Sequence, residues 1–390
     1  MPLSRRLPLA FRQLIDSPVK TAAAATGICF ANVLVFFQLG LLNALYESQA
    51  RPYSILNGEI FLVSSRFSRL SQTPSILIND VMRAQGLEGV DRVSGLSIAL
   101  GTILLLPEGF TTNTQIYAFD PSNSAINARK ANVSLSIINQ YERASIDILS
   151  RPSTIKSIIT ALDSGKLYST NLGIKQLTIN SKAAIGSTFA ADVSILMSQD
   201  NLLHYFPSRN SRLINIGVVK LKSGYSLSKV LSTLQDQLYP PGYHIKAMSL
   251  QEITKAEIVY WKKNTSLTFI LGLGVIVGFV VSGIILYQIL YSDVTSHLSE
   301  YATLLALGYS NAFVVRVVFA QAVMLTLASF PVAILFSLGL YAFMASATNL
   351  LVTMPFSRLV LVLLSTLFTS IFSCYLATSK LRRVDPSSLY

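Results

Sequence analysis

Hydrophobic and polar positions divide this chain into two regimes. No charge occurs between Lys20 and Glu47, between Lys263 and Asp293, between Arg316 and Arg358, or between Arg358 and Lys380. Each interval holds the roughly 20 apolar residues that cross a bilayer core. The third is the longest, but its C-terminal stretch, ASATNLLVTMPFS, is too polar and too short for a further crossing. The pattern predicts a membrane protein with four transmembrane α-helices, at 21–46, 266–291, 312–343 and 359–379. Residues 47–265 show shorter periods and read as a large extracytoplasmic α+β domain inserted between helices 1 and 2.

Within that domain, GEIFLVSS (58–65), TQIYAFD (114–120), SIDILS (145–150), KQLTI (175–179) and INIGVVKL (214–221) have strand character. SILINDVMRAQG (75–86), STIKSIITALDSG (153–165) and SLSKVLSTLQDQL (226–238) have helical spacing. A boundary near Asn123–Asn139 would divide the domain into two lobes. Ser249 and Glu252 form a capping box that opens a helix toward the second span. A continuous helix over 249–291 would be a rigid lever, and a break around Lys263–Thr265 is the alternative.

Between the second and third spans lies a short polar island, 292–311. Leu298, Tyr301, Ala302 and Leu305 recur on one helical face, with Thr295 and Ser296 placed to cap its start and Gly308 its end. It reads as an amphipathic helix at a membrane surface, against the alternative of a plain interhelical loop. Residues 1–20 offer a second such helix, with Leu7, Ala10, Phe11 and Leu14 on one face and Arg5, Arg6 and Arg12 elsewhere. A disordered basic leader is the other reading of that segment. The first apolar run exceeds a signal-peptide core and has only Ser48-Gln49-Ala50 as a cleavage candidate, so it reads as a retained anchor.

Composition agrees with the membrane reading: 51% of the 390 residues are hydrophobic and 13% charged. Basic residues flanking the first and last spans put both termini in the cytoplasm, 292–311 with them, and 47–265 and the short loop 344–358 in the periplasm. Lys262 and Lys263 outside, and the lack of Lys or Arg in 292–311, run against that bias. The net charge of +12 does not form an aromatic-interleaved basic stripe, so no nucleic acid partner is expected. Cys29 and Cys374 lie in apolar runs, which excludes a disulfide scaffold and a thiol metal site.

No phosphate-binding GxxxxGK[ST], no GxSxG and no metal-ligand spacing among His204, His244 and His297 occurs, so no catalytic or cofactor site is expected. Gly274 and Gly278 form GxxxG, a helix-packing signal. Asn32, Gln38, Gln288 and Gln321 are polar groups in lipid that need partners on neighbouring helices. Pro331 is expected to kink the third helix.

One helix, a large outer domain and then three helices resemble permeases of the MacB and FtsX type. The individual stretches are similar to the DevC-type permease of ABC exporters: PLAFRQL (8–14), FFQLGLLNALY (36–46), LINIGVVKLKSG (213–224), YQILYSDVTSHLSEYATLLALGYSN (287–311), SLGLYAFMASAT (337–348) and KLRRVDPSSLY in the tail 380–390. The resemblance implies an inner-membrane homodimer working with a separate cytoplasmic ABC ATPase that binds the ATP, a periplasmic membrane-fusion adaptor and an outer-membrane channel. It implies export of a lipid-like or glycolipid substrate by motion transmitted to the periplasmic domain. It carries an ATPase contact onto His297, Leu298, Glu300, Tyr301, Leu304, Leu305, Gly308 and Tyr309. Leu-Leu-Ala-Leu at 304–307 stands where many relatives carry a lysine or arginine, which leaves the electrostatic part of that contact open. A transmembrane regulator of a periplasmic hydrolase and a ligand-sensing receptor are the other classes this layout admits.

Overall fold

The computed structural model of the chain describes residues 9–105, 109–186, 188, 190–350 and 352–379. Arg5, Arg6 and Leu7 of the expected N-terminal face, and the tail 380–390, lie outside the described residues. Two compact units emerge. One comprises residues up to Asn43, Ser266–Phe343 and those from Val352; the other comprises Ala44–Thr265 and Met344–Leu351.

The first unit is helical. Its elements are α1 (Leu9–Asp16), most of α2 (Pro18–Ala50), and, beyond the second unit's elements, α9 (Ser266–Ser296), α10 (Leu298–Ala306), most of α11 (Asn311–Thr348) and α12 (Phe356–Ser379). Among the described residues four helices are long and apolar enough to cross a membrane: α2, α9, α11 and α12. Pro331 sits inside α11 without ending it. Where helices cross in lipid, dispersion contacts and polar bonds rather than water exclusion hold them, so close approach at small residues matters. One cluster joins Ala24, Leu286, Leu290, Tyr301, Val318 and Cys374, which come from five of these helices.

The second unit is built on strands β1 (Ile60–Ser64), β3 (Val90–Leu105), β4 (Phe110–Phe119), β5 (Arg143–Asp147), β6 (Tyr168–Leu172), β7 (Lys175–Ala183), β8 (Val193–Ser198), β10 (Ile216–Leu221) and β11 (Ile245–Ser249). They form one sheet in the order β11-β1-β10-β3-β4-β8-β5-β7-β6. A further β6–β3 pairing at Leu172 and Ile103 closes the last six strands into a ring. A short ribbon of β2 (Ile76–Leu77) and β9 (Leu213–Ile214) stands apart. Helices α3 (Ile78–Met82), α4 (Leu135–Ile138), α5 (Pro152–Asp163), α6 (Gln199–Tyr205) and α7 (Leu227–Thr233) complete the unit with α8 (Leu250–Asn264).

Several local departures from the periodicity have visible causes. The longest strand, β3, carries Gly95, Gly101 and several hydroxyl residues that mask its alternation; Gly95 lets Ile214 approach to 3.1 Å of where a Cβ would stand. INIGVVKL is split at buried Asn215, whose Oδ1 accepts from the Ile98 N–H at 2.8 Å while its Nδ2 donates to Thr73 O at 2.7 Å. SILINDVMRAQG gives a strand pair, one α turn and a 3-10 turn rather than one helix. Residues 123–139 do not separate successive lobes, because β3, which precedes them, pairs with β10 on the open side of the sheet and with β4 and β6 in the ring.

The capping box at Ser249 and Glu252 is present. The helix it opens stops at Asn264, and Thr265 is extended (φ −110°, ψ 123°), so α8 and α9 are separate and 249–291 is not one rod. On α8, buried Glu257 accepts from Tyr53 Oη at 2.8 Å, the Leu70 N–H at 2.7 Å and Trp261 Nε1 at 2.8 Å. Burial raises its carboxyl pKa, and these donors together with Arg69 hold the rise back. Glu257→Ala would orphan three donors at about 1–3 kcal/mol each. Thermal unfolding of the purified chain should then fall by at least about 6 °C, at roughly 2–4 °C per kcal/mol, and by less for Glu257→Gln.

Candidate functional site

The expectation of a short helix between two spans is met by α10. Its start differs from the expectation. Thr295 and Ser296 do not cap it, because their hydroxyls donate back to the carbonyls of Tyr291 and Ser292 inside the last turn of α9. The turn is His297, whose N–H donates to Asp293 O at 3.1 Å and whose ring lies 3.5 Å from the Asp293 carboxylate. Gly308 ends the helix at φ +92°, and the Tyr309 N–H reaches back to Leu304 O at 3.1 Å. That six-residue bond with a left-handed glycine is a Schellman closure, and any side chain at 308 would be strained.

The faces of α10 are arranged differently from the expected docking surface. Tyr301 is 0% exposed and Ala302 buried, Leu304 is half-buried against the cluster that contains Tyr301, and Leu298 is half-buried. Leu305 lies on the helix one position further on. Glu300, Ser299 and Thr303 are exposed, as are Leu307 at 71% and Tyr309 at 49%. The Tyr309 ring packs tilted against Phe313, near the start of α11, with centroids 4.9 Å apart. Tyr301 therefore anchors α10 to its own chain, and Ser299, Glu300, Thr303, Leu307 and Tyr309 form its exposed side.

What holds the buried side is Gln13 of α1, a residue that the helical spacing alone does not single out. Gln13 is 3% exposed; its Oε1 accepts from Tyr301 Oη at 3.3 Å and Gln321 Nε2 at 3.0 Å, and its Nε2 donates to Glu300 Oε2 at 3.3 Å. Burial, with Asp293 and Glu300 nearby, pushes the Tyr301 hydroxyl well above the usual tyrosine range, so it stays a neutral donor. The available signal for Gln13 is an amide three residues after Ala10, on the face that buries. Phe11, expected on that face, is 39% exposed. A cavity of about 220 Å³ opens beside the network, lined by Leu14, Lys20, Thr21, Gln288, Asp293 and Gln321. Lys20 Nζ donates to Ser296 Oγ at 2.9 Å.

Further along the bundle, Gly274 and Gly278 meet α2. A Cβ at Gly274 would stand 2.7 Å from the Gln38 amide, and one at Gly278 2.8 Å from Val35 and 2.9 Å from Leu34. Asn32 Oδ1 accepts from Thr366 Oγ1 of α12 at 2.7 Å. Arg358 is no free loop charge: it is buried, donating to Tyr341 Oη at 3.1 Å and Thr353 O at 2.7 Å. Tyr341 in turn donates to Phe36 O, and its ring occupies the space that a side chain at Gly40 would need. Each histidine stands beside one acid: His204 at Glu142, His244 at Asp80, His297 at Asp293. Among the described residues no group of three or more His, Cys, Asp and Glu could hold a metal.

Residues 272–386 match the family model described as FtsX-like permease C-terminal, a span that includes all of α10, α11 and α12. No curated protein matches the sequence. Among solved structures, the periplasmic region of MacB from Actinobacillus actinomycetemcomitans is similar at 10% identity, over 54% of this chain and 95% of that one, with a TM-score of 0.34. The extracellular domain of the noncanonic ABC-type transporter YknZ from Gram-positive bacteria is similar at 13% identity, over 49% and 98%, with a TM-score of 0.33.

Two outcomes follow from this geometry. Tyr301→Ala empties a fully buried site at a cost of about 3–5 kcal/mol and should lower the thermal midpoint of the detergent-purified chain, whereas Leu307→Ser should leave it unchanged. Gly278→Leu drives a side chain into Val35 and Leu34, a clash worth about 1–3 kcal/mol, and should shift the purified chain toward aggregate in size-exclusion chromatography.

Proposed function

We propose that this chain, a member of the MacB/FtsX-like permease superfamily through its C-terminal membrane helices, is the non-catalytic membrane subunit of an ABC exporter. In this reading it works as a homodimer in the inner membrane, with both termini and α10 in the cytoplasm and residues 47–265 in the periplasm. A separate ATPase binds and hydrolyses ATP. A periplasmic adaptor and an outer-membrane channel complete the path, and the substrate is lipid-like or a glycolipid.

The observation that carries the reading is α10 itself. A short helix, closed at both ends and fixed from behind by Gln13 and Tyr301, keeps Glu300, Thr303, Leu307 and Tyr309 exposed. A surface so backed can take a push from another subunit without folding away. Its exposed leucine and tyrosine supply apolar contact in place of the basic residue common in relatives. Because α8 and α9 separate at Thr265, the unbroken helices α2 and α11 are the better conductors of that push.

The second reading is a transmembrane regulator that activates a periplasmic hydrolase through the same membrane layout. The two readings separate on purification from native membranes. The exporter reading expects co-elution with an ATPase and an adaptor; co-elution with a peptidoglycan hydrolase and no adaptor supports the regulator. In either case a Leu307→Asp, Tyr309→Ala double variant should capture the ATPase at least about tenfold more weakly, as expected for loss of interface anchors, with its own thermal midpoint unchanged.

A further inference from the structure

We infer that the sheet unit carries a binding pocket for a phosphate group, built on Arg92 and Arg129. The pocket is a cavity of about 370 Å³ whose lining includes Asn57, Arg92, Ser122, Asn127, Arg129 and Leu135. Its two charged lining residues are both arginines, and no carboxylate lines it. The Arg92 Nε–H is buried and has no hydrogen-bond partner. Arg129, also in the lining, is exposed and lies on the segment after the turn at 121–123.

Among the described residues no acid forms a salt bridge with either arginine, and the nearby carboxylates are engaged elsewhere. Asp120 Oδ1 accepts from the Ser122 N–H at 2.8 Å and Ser122 Oγ at 2.6 Å. Glu59 Oε2 accepts from the Leu221 N–H at 2.9 Å. Lys220 lies directly across from Arg92 in the β10–β3 register, which puts a further positive charge on the same face of the sheet. Like charges opposed across a ladder, with a buried N–H left unmade, are unfavourable unless something binds there.

The walls are held in place before any ligand arrives. Asn123 Nδ2 donates to Val93 O at 2.8 Å and its Oδ1 accepts from Ser94 Oγ at 2.9 Å, which fixes the turn to β3 beside Arg92. The Asn57 N–H donates to Ala125 O at 2.9 Å and the Asn127 N–H to Ile55 O at 2.8 Å, which fixes the other wall. A guanidinium presents paired N–H donors that match two oxygens of one phosphate, and two guanidiniums suit a group carrying up to two negative charges. Asn57, Ser122 and Asn127 offer further polar contacts, while Leu135 and Ile126 give the pocket an apolar side where an organic portion can lie. The phosphate can belong to a soluble molecule or to a lipid headgroup.

The test is calorimetric titration of the full-length chain in a neutral detergent at low salt, with inorganic phosphate in one arm and short-chain phosphatidylglycerol in the other. Saturable binding in either arm is expected, and the arm that binds names the source. Arg129→Gln should weaken it several-fold and Arg92→Gln, Arg129→Gln at least tenfold, while Arg92→Lys, which keeps charge but loses the fork, should fall between. Arg129 is exposed, so its single variant tests the pocket even where changes at Arg92 disturb folding. No saturable binding of either probe by the wild-type chain, or equal affinity in wild-type and a folded double variant, would overturn the inference.

Discussion

A buried amide leaves its donors and acceptor costly to satisfy anywhere but within the protein, and Gln13 does so by joining three helices. One side chain on α1 accepts from Tyr301 on α10 and Gln321 on α11 and donates to Glu300 on α10. None of these bonds is strong alone, at roughly 0.5–1.5 kcal/mol net for a typical pair. Their value lies in the asymmetry: losing one strands the others in an apolar setting, where unmade bonds are costly. The short helix between two spans is thereby a fixed platform rather than a floppy connection. Its exposed residues are presented by the side chains buried beneath them.

The same logic recurs along the bundle. Several polar groups in the apolar interior bridge helices: Asn32 to Thr366, Thr326 to Ser370, Arg358 to Tyr341 and Tyr341 to the Phe36 carbonyl. Where no polar bond is available, glycine permits contact, as at Gly274, Gly278 and Gly40. In the sheet unit a buried carboxylate takes the organising role. Glu257 ties α8 to the segments at Tyr53 and Leu70, and Asp147 ends β5 by accepting from the N–H groups of Leu149, Ile185 and Gly186.

The spans were legible because charge exclusion over some twenty residues has few causes other than a membrane. The capping box at Ser249 and the glycine stop at 308 were legible because both are local chemistry. What periodicity could not supply was long-range. β3 hides behind its two glycines, and its role appears only once β4, β10 and β6 are seen to pair with it. Tyr301 has the spacing of an amphipathic face, but spacing does not say whether that face meets a partner or the chain's own helices. Gln13 lies nearly three hundred positions from Tyr301, so nothing local linked them. The break at Thr265 falls between Asn264 and Ser266, two residues that favour helix ends over helix interiors.

The central claim is that α10 is a force-receiving helix whose outward side meets an ATPase while Tyr301 faces inward. It is tested most directly by placing a photo-crosslinking amino acid at Leu307, on the exposed side, and at Leu364, an exposed position on α12. After illumination of cells producing the full-length protein, adducts are identified by mass spectrometry. An adduct with an ABC ATPase from Leu307 and none from Leu364 is the predicted result. No ATPase adduct from Leu307, in membranes where the ATPase co-purifies with the chain, would contradict it.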